Sequence, residues 1–255
     1  MTLPFPLLRL YQLYATLVFA GLMILVLPFV VVASLFGKIR GGNMVYRLCM
    51  LWGDCWFFLI GIRHRNIYDA PHEKGKTYIY VANHISYLDA PIIVKAMREP
   101  IRVLGKVEMT KIPIFGYIYR NAIVTVDRSS AENRAKSVRI LKSVINKQIS
   151  IFLFPEGTFN MEHTPLKDFY DGAFRIAIET QTPVKPVLFL DGYNRMHYRS
   201  VFTLNPGICR AVFLEAIPVA GKSLESLRTE VYQQMEQKLI AYKAAWIDPT
   251  LLNHA

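Results

Sequence analysis

Residues 11–36 contain no charged side chain. A helix over them would be roughly 39 Å long at 1.5 Å per residue, enough to cross a ~30 Å hydrocarbon core with tilt. This run is the main membrane element of the chain and constrains its architecture more than any other stretch. Pro28 interrupts it, and proline removes a backbone donor and clashes with the preceding turn. A kinked or re-entrant helix pair in one leaflet therefore fits as well as a straight span. The run is longer than the ~7–15-residue apolar region of a secretory signal, and only Arg9 flanks it on the amino-terminal side.

Behind it, Lys38, Arg40, Arg47, Arg63 and Arg65 outweigh Arg9. The positive-inside bias accordingly places the rest of the chain on the cytoplasmic face of the membrane. A second apolar segment, residues 44–62, carries Trp52 and Trp56 and sets Arg47 and Asp54 on one helical face. Either an interfacial helix or the first helix of a globular core fits it. With 53% hydrophobic residues and a net charge of +11 in 255 residues, the chain suits a membrane surface and anionic ligands. No zinc-finger spacing or RNP motif points to nucleic acid. Cys49, Cys55 and Cys209 form no C-x-x-C pair, so neither a disulfide framework nor a metal site is expected, which fits a reducing compartment.

After residue 69 the pattern becomes an alternation of helices and strands. Short β-rich runs fall at residues 78–82, 101–104, 122–126, 149–154, 184–190 and 211–214, and helical spacing falls at 90–97, 131–146, 172–180 and 223–244. The expected fold is α/β: a central, mostly buried sheet flanked by helices, with an N-terminal membrane-embedded helical segment. The chain divides into a hydrophobic helical membrane-association segment, 1–66, and an α/β domain, 67–255. The last helix carries Leu224, Leu227, Val231, Met235, Leu239 and Ile240 as one apolar stripe, which reads as packing.

In open α/β sheets, ligand sites collect on loops at strand ends. Three such loops carry the informative residues: His84 and Asp89 after 78–82, Arg128 after 122–126, and Phe154-Pro155-Glu156-Gly157-Thr158 after 149–154. A neutral imidazole can take the proton of an attacking hydroxyl, typically a ~10²- to 10⁴-fold effect, and a neighbouring carboxylate fixes its tautomer and stabilises the imidazolium. Base, cation, carboxylate and a flexible glycine make a coherent site for a hydroxyl nucleophile on a phosphorylated molecule.

These residues resemble the glycerolipid acyltransferase family, over roughly residues 78–187. His84 and Asp89 match its His-x4-Asp motif, with Asn83 and Ser86 around it. Arg128 keeps the arginine of a second, otherwise degenerate motif, and the Phe-Pro-Glu-Gly-Thr motif is complete. Val184, Pro186 and Val187 match a final hydrophobic-Pro motif, with Lys185 where an apolar residue is commoner. Many members place Arg directly after the Thr; here Phe159 and Asn160 follow, so one cation near the acceptor is missing, and Lys167 is a candidate to compensate.

The resemblance implies an acyltransferase that moves a fatty acyl chain from acyl-CoA or acyl carrier protein to the free hydroxyl of lysophosphatidic acid, giving phosphatidic acid at a membrane. His84 would be the base and Asp89 its orienter. Lys106 and Arg128 would hold the acceptor phosphate, with Glu156, Gly157 and Thr158 completing the substrate site. No metal or redox cofactor is implied. Within the same chemistry, another lyso-lipid such as a lyso-aminolipid or lysophospholipid is an alternative acceptor. A non-catalytic membrane lipid-binding protein is the rival of another class, but it need not keep His84, Asp89 and Glu156 together. A serine hydrolase is disfavoured by the lack of a G-x-S-x-G elbow.

Overall fold

A computed structural model describes residues 4–126 and 130–252. Helix α1 (Phe5–Ser34) runs unbroken through Pro28 and is followed by a π-helical turn, Gly37–Gly41, that leads into α2 (Gly42–Leu59). A helix pair is thus present, reversed at the glycines rather than at the proline. The two helices are joined by large aromatic residues: Phe19 meets Trp52 and Trp56 edge-on at 5.0 and 5.2 Å. Trp56 Nε1 donates to Ala15 O at 3.0 Å, and the Tyr11 hydroxyl donates to Ile60 O at 2.8 Å. Leu10, Leu13, Leu17, Leu25, Phe29 and Phe36 remain exposed, an apolar surface of the kind that marks a membrane or protein interaction site.

The elements that follow are β1 (Ile62–Tyr68), β2 (Ile79–Ala82), α3 (Asp89–Ala96), β3 (Arg102–Lys106), α4 (Phe115–Ala122), β4 (Val124–Val126) and α5 (Ala131–Ile145). Then come β5 (Ile151–Leu153), α6 (Gly172–Thr180), β6 (Val184–Phe189), α7 (Gly192–Arg195), β7 (Gly207–Phe213) and α8 (Leu224–Ala241). The strands form one seven-stranded sheet in the order β1-β7-β6-β2-β5-β3-β4. From β6 to β4 neighbouring strands are parallel; β7 pairs antiparallel with β6 and parallel with β1. Every residue of β2, β5 and β6 is buried, as expected of parallel strands covered on both faces.

Helices α5, α6 and α8 cover one face through Leu141, Phe174, Ala177, Leu227, Val231 and Met235. The other face is covered by α1 to α4 through Ala15, Val30, Trp56, Ile92 and Ile118. The two apolar helices are therefore one layer of the fold, and α2 belongs to the core on its Val45, Trp52, Trp56 and Phe57 side while exposing Leu51 and Phe58. Strand β1 and helix α4 have no counterpart in the expected pattern. The β1 strand lies at the sheet edge with Arg63 and Arg65 exposed, the charged edge that discourages pairing with another chain. Lys185 is fully buried on β6, where its ammonium donates to Pro71 O at 2.8 Å and lies 5.4 Å from the Tyr78 ring centre.

Arg102 ties the sheet to the apolar helical hairpin. Only 4% exposed, it donates from one guanidinium nitrogen to Lys38 O and Ile39 O, each at 3.1 Å, and to Asn43 Oδ1 at 2.8 Å. It thereby ties β3 to the reversal between α1 and α2, adding a second donor at Ile39 O, which also accepts from Gly42 N. Arg102→Met is expected to destabilise the detergent-solubilised protein by about 2 to 3 kcal/mol, since it removes the hydrogen bonds that a charged group makes to Lys38 O, Ile39 O and Asn43 Oδ1. Chemical denaturation would measure this, and an unchanged midpoint would show that the turn holds without it.

Candidate active site

The chain leaves β2 at Ala82 and enters α3 at Asp89, and the short loop between is held from both sides. Asn83 replaces a ladder pair where the strands part: its Nδ2 donates to Phe189 O at 3.0 Å and its Oδ1 accepts from Phe189 N at 2.8 Å. Asp89 is fully buried, and one of its oxygens, Oδ2, accepts from His84 Nδ1 at 2.8 Å, Ile85 N at 2.8 Å and Ser86 N at 2.9 Å. A carboxylate on Nδ1 assigns the proton of the neutral ring to that nitrogen, leaving the Nε2 lone pair for a substrate. The His84 side chain is 20% exposed, so the ring is reachable while its partner is not.

Next to β2 in the sheet, β5 delivers the Phe154 to Thr158 loop to the same end. Gly157 turns the chain with φ +71°, a conformation costly for other residues, and its N–H donates to Phe154 O at 3.0 Å. Phe154 stacks flat on the imidazole with ring centres 4.0 Å apart, and Phe159 meets it edge-on at 4.4 Å. The two aromatic walls hold the ring in one orientation. Phe159, which follows Thr158 in place of the expected arginine, is thus a neighbour of His84, and it also touches Tyr87 at 5.0 Å. Nothing in the residue pattern marked Phe159 for that role.

Glu156 is 2% exposed and joins two loops. Its Oε1 accepts from His84 N at 2.7 Å and its Oε2 from Lys167 N at 3.0 Å. Burial pushes its carboxyl up to about 8, against the opposing pull of those two N–H groups and with a further push from the Asp89 charge. Both oxygens are engaged by backbone, which is the geometry of a positioning carboxyl.

Thr158 is exposed at the rim, where its hydroxyl accepts from Lys167 Nζ at 3.3 Å, and Lys167 Nζ also lies 3.5 Å from Glu162. Lys167 therefore supplies a cation beside Thr158. Behind this rim, a cleft of about 750 Å³ opens between the loop and α8, lined by Thr158, Lys167, Phe169, Tyr232, Ile240 and Leu251 among others. Lys106 is the exposed last residue of β3, in register with Val126 of β4. Arg128 lies outside the described residues. His84, Glu156 and Lys106 thus stand on three adjacent strand ends, β2, β5 and β3, where such sheets place ligands.

A family model described as acyltransferase matches residues 62–190, from β1 through the end of β6. The chain is 31% identical over 206 residues to a 1-acyl-sn-glycerol-3-phosphate acyltransferase of Salmonella typhimurium, covering 78% of each chain. It is 30% identical over the same length to the protein of that name from Escherichia coli, again covering 78% of each. Its fold is similar to the crystal structure of the 1-acyl-sn-glycerophosphate (LPA) acyltransferase PlsC from Thermotoga maritima, with a TM-score of 0.71 and 24% identity over 95% of this chain and 97% of that one.

The Glu156 carboxyl links stability to pH. The folded chain holds its proton more tightly than an unfolded chain, in which it titrates near 4.5. Its contribution is therefore complete below about 4.5 and is lost as the pH rises through about 8. The thermal midpoint is expected to fall across that window in the wild type and to fall less in Glu156→Gln; parallel curves would show that the carboxyl is ionised throughout.

Proposed function

The chain belongs to the acyltransferase family, and from that premise we propose that it moves a fatty acyl chain from a thioester to the free hydroxyl of lysophosphatidic acid, giving phosphatidic acid. The observation that carries the chemistry is the 2.8 Å contact between His84 Nδ1 and the fully buried Asp89. The acceptor comes from the relatives, since the Salmonella and Escherichia coli proteins are named for this reaction.

In the proposed mechanism His84 Nε2 takes the proton of the acceptor hydroxyl as its oxygen attacks the thioester carbonyl. Asp89 stabilises the imidazolium so formed. When the tetrahedral intermediate collapses, the C–S bond breaks and the proton passes from the imidazolium to the departing sulfur. An ester and a free thiol are left. The thioester supplies the driving force, so the reading calls for no metal or redox cofactor, and either acyl-CoA or acyl carrier protein can serve as donor. Lys106 and Arg128 hold the acceptor phosphate in this reading, the lysine as a point charge and the arginine as a fork. A non-catalytic lipid-binding role has no use for a base oriented by a buried carboxylate.

The chain carries a helix long and apolar enough to cross a membrane, but its contacts support a placement along one leaflet. Gln12 Nε2 donates to Leu204 O at 3.3 Å near one end, and Ser34 Oγ lies 3.0 Å from the Tyr117 hydroxyl at the other. The helix rises about 33 Å between these residues, the full thickness of a hydrocarbon core. A body bonded to both ends of a span would itself be drawn into the bilayer. The cations at 38–65 support the cytoplasmic leaflet.

In liposomes, lysophosphatidic acid with acyl-CoA or acyl carrier protein is expected to be acylated, and His84→Ala to lower turnover by about 10² to 10⁴. Equal rates would remove His84 as the base, and preference for a lyso-aminolipid or another lysophospholipid would overturn the acceptor. In inverted vesicles, single cysteines at positions 5 and 36 of an otherwise cysteine-free chain are expected to react alike with an impermeant maleimide. Protection of one end alone would restore the span.

A further inference from the structure

Asp89 uses its two oxygens unequally. Oδ2 gathers three donors, whereas Oδ1 is buried and has no hydrogen-bond partner among the described residues. Gly192, far along the sequence in α7, lies against Oδ1. A Cβ on Gly192 would stand 2.9 Å from Asp89 Oδ1 and 3.0 Å from Ser86 Cβ. Its φ is not positive, so the backbone would accept any residue there, and space is what calls for glycine.

The segment carrying Gly192 has little freedom to retreat. On one side Asp191 is clamped to β7 by Arg210: Oδ2 accepts from Arg210 N at 2.8 Å and Nε at 2.9 Å, and Oδ1 accepts from an Arg210 terminal nitrogen at 2.8 Å. On the other side the Ser86 hydroxyl donates to Met196 O while accepting from Leu88 N at 2.9 Å, and Ser86 forms an antiparallel bridge with His197. With both flanks anchored, a methyl group at position 192 would displace Asp89 rather than the segment.

We propose that Gly192 is a positioning residue for the catalytic pair: its bare Cα closes Asp89 Oδ1 off from solvent and from other donors, so that the carboxylate meets His84 in one orientation. Three donors set where Oδ2 lies, and Gly192 against Oδ1 limits the remaining twist of the carboxylate plane about its Cβ–Cγ bond. The clamp by Arg210 holds the glycine in place and so acts on the base through two intermediates. Gly192 thereby joins the Asp191 segment to the reaction without touching substrate. The inference rests on the reading of His84 and Asp89 as base and orienter.

The test combines kinetics with an observable independent of turnover. Gly192→Ala is expected to lower kcat by about 10- to 100-fold, as a displacement of a catalytic group does, with KM for both substrates within about twofold. In the Asp89→Asn background the same change is expected to cost less than about twofold, because the group it acts through has already lost its function. In detergent micelles the low-field Nδ1 proton of ¹⁵N-labelled His84, assigned by its absence in His84→Ala, is expected to shift or broaden in Gly192→Ala. Arg210→Gln adds no volume, and is expected to weaken that signal and lower kcat with KM retained, which covers the case of a poorly folded alanine variant.

Wild-type kcat with an unchanged signal in Gly192→Ala would overturn the proposal, as would a full multiplicative loss on top of Asp89→Asn. If the wild type acylates none of the lipids, the proposed function fails, but the proton signal still decides whether Gly192 positions the pair.

Discussion

Three N–H groups of one short loop converge on a single oxygen of Asp89, and the site is arranged around that convergence. A fully buried carboxylate is several kcal/mol out of place unless its lone pairs are met. Here Ile85 and Ser86 meet those of Oδ2 from the backbone and His84 from its ring. The position of Asp89 as first residue of α3 adds the partial positive charge of the helix start. Pairing that oxygen, folding the loop and aiming the imidazole are one event, so in the proposed mechanism the ring is preorganised before any substrate arrives.

The parallel sheet extends that order outward. Because β2 and β5 are neighbours running the same way, the His84 loop and the Phe154 to Thr158 loop emerge side by side. Glu156 then joins them with one oxygen for each loop, and Asn160 N adds a bond to His84 O at 2.8 Å. Phe154 and Phe159 close the ring from two directions. The ring therefore receives its orientation from the aspartate and its lateral confinement from the aromatic pair, two constraints of different physical origin.

Strands β2 to β7 are legible in the sequence as short β-rich runs, most plainly β2, β5 and β6, which are buried on both faces and carry mostly apolar residues. The β1 strand, with Arg63 and Arg65 directed to solvent, reads equally well as a basic flank of a membrane segment. Helix α4 is too short for a periodicity to declare itself. His84, Asp89 and Glu156 were visible because their chemistry and spacing are local to two loops. The contact of Phe159 with the base and of Gly192 with Asp89 was not, since each depends on what the fold brings alongside. In the sequence Phe159 stands only where a cation is expected, and Gly192 is one of 14 glycines. The missing donor of Pro28 points to a break there, yet the reversal falls where Gly37 adopts φ +79°.

Bonded to the body at both ends, α1 in the proposed placement also fixes how deep the loops carrying His84 and Glu156 sit. In the proposed placement the base keeps one height above the hydrocarbon, because tilting the body would have to lift an apolar helix out of lipid. An acceptor then meets the site by lateral diffusion within a monolayer, and its effective concentration is a surface density. Turnover would follow the mole fraction of acceptor among the surrounding lipids, and diluting the bilayer with inert lipid would slow the enzyme even though no molecule of substrate had been removed.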